Sequence, residues 1–103
     1  MTIKTDIHVG DIGTIFRVTI ADKDIPVDIS DATIRAILFQ KPDGTVVTVS
    51  GLFTIDGEDG RMEYETIYED LDMAGVWKIG AKITTPDGKW TATPVAFMVE
   101  EEY

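Results

Sequence analysis

The chain has 103 residues, 44% of them hydrophobic, and its nineteen acidic and nine basic residues give a formal net charge of −10. That length suits a single domain over residues 1–103 with one core, and a surface this negative repels phosphate backbones and anionic lipid, excluding nucleic acid and membrane as expected partners. There is no cysteine, so the fold has no disulfide staples and suits a reducing compartment, or assembly inside a cell before release.

The opening Met1-Thr2-Ile3-Lys4-Thr5-Asp6 lacks the apolar stretch of a secretory signal, and no apolar run approaches a membrane span. A soluble protein made in the cytoplasm is expected. The first strand is predicted over 3–9 and carries the only histidine, His8. A second, over 13–20, alternates so that Phe16, Val18 and Ile20 share one face.

The third predicted strand, 32–41, breaks the alternation. In Ile34-Arg35-Ala36-Ile37-Leu38-Phe39 both alternate rows contain apolar residues. A strand apolar on both sides is either covered twice or shared with another molecule. Arg35, Ile37 and Phe39 are therefore interface candidates, and Trp90 joins them.

Lys41-Pro42-Asp43-Gly44-Thr45 reads as a hairpin turn leading into a strand over 45–55. Asp56-Gly57-Glu58-Asp59-Gly60 is a further turn. A strand over 61–67 follows, in which Met62 and Tyr64 face inward and Glu63 and Glu65 face water. Tyr68 to Ala74, closed by Gly75, suits a single helical turn with Leu71 plugging the core beneath it. Strands over 75–85 and 89–100 flank a second Pro-Asp-Gly turn, Thr85-Pro86-Asp87-Gly88-Lys89. In both turns the glycine is expected to take a left-handed conformation. Trp77, Ile79 and Ile83 share one face of the first strand, and Val95, Phe97 and Val99 share one face of the second. The tail Glu100-Glu101-Glu102-Tyr103 reads as a solvated end. About seven short strands with regular turns give the expected class: an all-β, antiparallel two-sheet immunoglobulin-like sandwich.

Catalytic chemistry is poorly supplied. His8 has no second histidine or cysteine to work with, and the two serines, Ser30 and Ser50, lie in no nucleophile motif. Gly10-Asp11-Ile12-Gly13 lacks the lysine and helix of a phosphate loop. No cofactor is expected. Asp56, Glu58 and Asp59 share one glycine-containing turn and are weak calcium candidates; Glu69, Asp70 and Asp72 lie in the next connection. Hard cations take six to eight oxygens from such loops, but the EF-hand spacing is absent. Trp90 and Tyr68 are the aromatic residues on which a carbohydrate-binding or adhesive role, the alternative function, would rest.

Five segments carry a family resemblance: Ile25-Pro26-Val27-Asp28-Ile29-Ser30-Asp31-Ala32-Thr33; Phe39-Gln40-Lys41-Pro42-Asp43-Gly44-Thr45; Asp59-Gly60-Arg61-Met62-Glu63-Tyr64; Ala74-Gly75-Val76-Trp77; and Thr85-Pro86-Asp87-Gly88-Lys89. In this order and spacing, from Gly13 to Glu100, the chain resembles the immunoglobulin-like amino-terminal domain of tailed-phage baseplate upper proteins. The resemblance implies a virion structural protein of a phage or prophage tail or baseplate. Such a module docks on other phage structural proteins, often as a homo-oligomer in rings, and has no catalytic residues to carry over. Members usually continue into a linker, helices and a receptor-binding or shaft region, whereas this chain stops at Tyr103, so tail, collar and head-decoration positions stay open.

Overall fold

The computed structural model describes residues 7–101. The predicted strand residues 3–6 and the tail residues Glu102 and Tyr103 lie outside that range. Among the described residues all regular structure is β. The strands are β1 (Ile7–His8), β2 (Ile15–Thr19), β3 (Ala21–Asp22), β4 (Ile25–Pro26), β5 (Ile34–Gln40), β6 (Val46–Ser50), β7 (Leu52–Phe53), β8 (Arg61–Glu65), β9 (Gly75–Thr85) and β10 (Gly88–Glu100).

They form a five-stranded sheet in the order β1-β10-β9-β5-β6, a three-stranded sheet in the order β2-β8-β7, and the small β3-β4 hairpin. The larger sheet is not purely antiparallel, as expected from sequence, but mixed: β1 pairs parallel with the end of β10, Ile7 opposite Val99.

The inner faces of the two larger sheets meet over the core. From the five-stranded sheet come Ile37, Phe39, Trp77, Ala81, Ile83 and Val99; from the other comes Met62, with Phe16, Val18 and Tyr64 packed against it. Aromatic rings cross the gap. Phe16 on β2 meets Phe39 on β5 edge-on at 5.2 Å and Phe97 on β10 at 5.0 Å. Such pairs add roughly 0.5–1.5 kcal/mol each beyond the area they bury. The indole of Trp77 is buried, and its Nε1 donates to the Met73 carbonyl at 2.9 Å, which satisfies its polar atom.

Several predicted elements change. The strand expected over 45–55 is two strands in different sheets, because the chain crosses from one layer to the other at Gly51. A Cβ there would lie 2.8 Å from the Met62 sulfur, so glycine is what lets the crossing pass over the core. The stretch 68–74 is a turn and extended chain without helix. Its role as a plug holds, since Leu71 is buried. The stretch is pinned to the chain after β1, with Gly10 N donating to the Leu71 carbonyl and Gly13 N to the Thr66 carbonyl. The two Pro-Asp-Gly turns also differ. Gly44 takes a φ of 91° and Asp43 accepts the Thr45 N–H at 2.9 Å. Gly88 instead lies in strand register opposite Thr85 and needs no left-handed conformation.

Candidate interaction surface

Alternation along each strand fixes which residues leave the molecule on the outside of the five-stranded sheet. On β5 the inward row is Arg35, Ile37 and Phe39, and the outward row is Ile34, Ala36, Leu38 and Gln40. Ile37 is 0% and Phe39 5% exposed, so two of the four interface candidates are core residues. The doubly apolar strand is real, but the row free to meet another molecule is the opposite one. Arg35 is inward and half-buried, its guanidinium 4.6 Å above the Phe53 ring and its Nε donating to the Gly51 carbonyl. Trp90 also faces inward, opposite Ile83, and packs against the core.

The outward face is apolar and basic. Ile34, Val46, Val76 and Met98 are each more than half exposed on it. From the same face rise Lys78 and Lys82 on β9 and Lys89 on β10, the lysines in register with uncharged outward residues: Gln40 and Ala96 beside Lys78, Ala36 and Thr91 beside Lys82, Thr84 beside Lys89. Three of the nine basic residues of the chain thus share one face. Among the described residues the acidic side chains sit on loops, turns, the β3-β4 hairpin and the three-stranded sheet, except Glu100 at the end of β10, where it lies 3.6 Å from His8 Nε2. A chain with a net charge of −10 has sorted its charges.

Across the middle of this face runs a shallow groove of about 170 Å³, lined by Leu38, Gln40, Lys78, Gly80, Lys82 and Pro94. A Cβ on Gly80 would meet Pro94 Cγ at 3.6 Å, an ordinary contact. Glycine here leaves the floor open rather than relieving a clash. Lys78 and Lys82, four residues apart on one strand, stand about 13 Å from each other. The arrangement suits an acidic surface with apolar residues between its charges.

The remaining candidates are dispersed. Asp56 accepts the Glu58 N–H and Asp59 the Arg61 N–H, at 2.9 and 3.0 Å. These carboxylates close turns, and no group of three or more metal-ligating side chains gathers among the described residues. Tyr68 is 75% exposed on the 66–74 connection. That connection is beside the Lys41 end of β5, where Lys41 pairs with Asp72 at 2.9 Å. Trp90 is at the other end, level with Arg35 through their shared neighbour Ile83. The two aromatics therefore share no platform.

A cleft of about 140 Å³ opens between the sheets beside Phe39, Lys41, Tyr64, Asp70 and Trp77. Three of its polar side chains have side-chain partners. Tyr64 donates its hydroxyl to Asp70 Oδ2 at 2.6 Å, and Lys41 reaches Asp72 while lying 5.8 Å from the Trp77 ring centre. Burial, reinforced by the Asp70 carboxylate, pushes the Tyr64 hydroxyl up to about 12. The lysine face was missed from sequence because neither its lysines nor its scarcity of acid forms a motif. Plotting charge against strand phase finds it.

No curated protein and no solved structure matches the chain. Residues 2–103 match the model of the BppU N-terminal domain. That match spans the whole described fold. The chain belongs to the BppU N-terminal domain family, the amino-terminal domain of phage baseplate upper proteins.

Proposed function

We propose that this chain is a rigid, immunoglobulin-like module of a phage or prophage virion, a single domain over residues 1–103 that docks on other phage structural proteins, self-associates and catalyses nothing. Family membership over residues 2–103 carries this reading. The outward face of the five-stranded sheet supports how it works. A lysine-bearing apolar surface, with its one acidic residue, Glu100, at the margin beside His8, attracts an acidic partner and orients the otherwise acidic chain as it approaches. Most phage proteins are made in the host cytoplasm and assembled there, which fits a fold without disulfides.

Fractionation of purified particles tests the reading. Peptides of this chain are expected in tail or baseplate fractions by mass spectrometry. Absence from every particle fraction would remove the virion role.

A further inference from the structure

The two edges of the five-stranded sheet are unlike. At one edge, β10 is capped at its end by β1, carries Lys89 and Pro94, and is broken by an irregularity between Ala92 and Val95. Positive charge, proline and bulges are the usual defences against unwanted strand pairing. The other edge is β6, Val46-Val47-Thr48-Val49-Ser50, with none of them. It has no charge, no proline and no irregular register with β5, in a chain of which 27% is charged.

The backbone phase of β6 follows from its ends. Lys41 N donates to the Thr45 carbonyl and Gly51 N to the Arg35 carbonyl. In an antiparallel ladder hydrogen-bonded pairs recur every second residue, so Thr45, Val47, Val49 and Gly51 turn their backbone groups to β5. Val46, Thr48 and Ser50 turn theirs to the open edge.

We propose that β6 pairs antiparallel with β6 of a second copy about a two-fold axis at Thr48, joining the two five-stranded sheets into one. This deepens the self-association in the proposed function and rests on that reading for its setting, though not for its geometry. Three observations favour a second copy as the occupant. The strand itself is uncharged in both copies, so two acidic chains meet without acid opposite acid along β6. The pairing sets Thr48 against Thr48, a favourable cross-strand pair, and Val46 against Ser50. It also brings the Asp43 turn of each copy alongside the end of β6 where Arg35 of the other holds the Gly51 carbonyl, placing acid near base. Because β10 is defended, the pairing closes as a dimer and does not propagate. The outward side chains of β6 lie on the lysine face, so the dimer carries two docking faces on one continuous sheet.

The test is the mass of the full chain in solution by analytical ultracentrifugation, from micromolar to about 1 mM. The monomer is 11.4 kDa, and wild type is expected to approach twice that mass. Thr48→Pro removes only an N–H that faces the open edge, which an edge strand tolerates. Thr48→Lys sets like charges opposite each other. Both are expected to stay at the monomer mass, with Thr48→Lys melting as wild type does and guarding against misfolding of the proline variant. Wild type at 11.4 kDa throughout, or a dimer that survives Thr48→Lys, overturns the proposal. A dimer found for a chain absent from particles would leave this inference standing and the virion role fallen; a monomer found in particles would do the reverse.

Discussion

Tyr64 couples the core to the 66–74 connection through one proton. Its ring lies 6.0 Å from that of Phe39, while its hydroxyl and the Ile67 N–H both donate to Asp70 Oδ2. The fold therefore holds the neutral phenol, with the hydroxyl raised from an ordinary 10.0 to about 12. A folded-state value above the unfolded one means that the stabilisation is complete below pH 10 and is lost as pH climbs through 12. Melting temperature is expected to fall over that window in wild type. Tyr64→Phe is expected to melt lower at neutral pH, by about 1 kcal/mol for the lost hydrogen bond, but with a flatter alkaline slope. Identical slopes for the two proteins between pH 9 and 12 would contradict the assignment.

At the scale of elements, the connections decide more than the strands. Gly60, with a φ of 76°, donates to the Gly57 carbonyl and accepts the Ile20 N–H. A Cβ there would stand 2.5 Å from the Ile20 carbonyl oxygen and 2.9 Å from that of Val27. Both obstacles are backbone and cannot swing aside. Gly60→Ala is expected to cost roughly 2–4 kcal/mol, read as a shift in the denaturation midpoint; a change under 0.5 kcal/mol would show that the turn relaxes freely.

The strands with strict alternation, β2, β8 and β9, were legible because a two-residue period leaves no doubt about which row is inside. The connections were less so. The crossing at Gly51 is silent in the pattern, since alternation continues on both sides of it. The β3-β4 hairpin was missed because Lys23 and Asp24 take φ of 51° and 66° without a glycine to announce the turn. Ile37 and Phe39 show the limit of the site reading. Two apolar rows can be recognised on β5, but which of them is covered depends on where the second sheet lies, and that is a tertiary fact.

Across the whole molecule, charge and topology converge on the same sheet. Its inner face is closed by the aromatic core, and its outer face carries three lysines and several exposed aliphatic residues, with acid only at its margin, at Glu100. An interface of that kind loses affinity as salt screens it. We propose that this face docks the chain in the particle. The most direct test is to complement a phage lacking this protein with wild type or with Lys78→Glu/Lys82→Glu, and to measure the copies incorporated. The double variant alters only exposed positions on β9 and is expected to melt within a few degrees of wild type. Two reversed charges should nonetheless weaken docking on the order of a hundredfold, leaving particles depleted of the protein. Incorporation of the folded double variant at wild-type level would contradict the account and move the docking surface elsewhere.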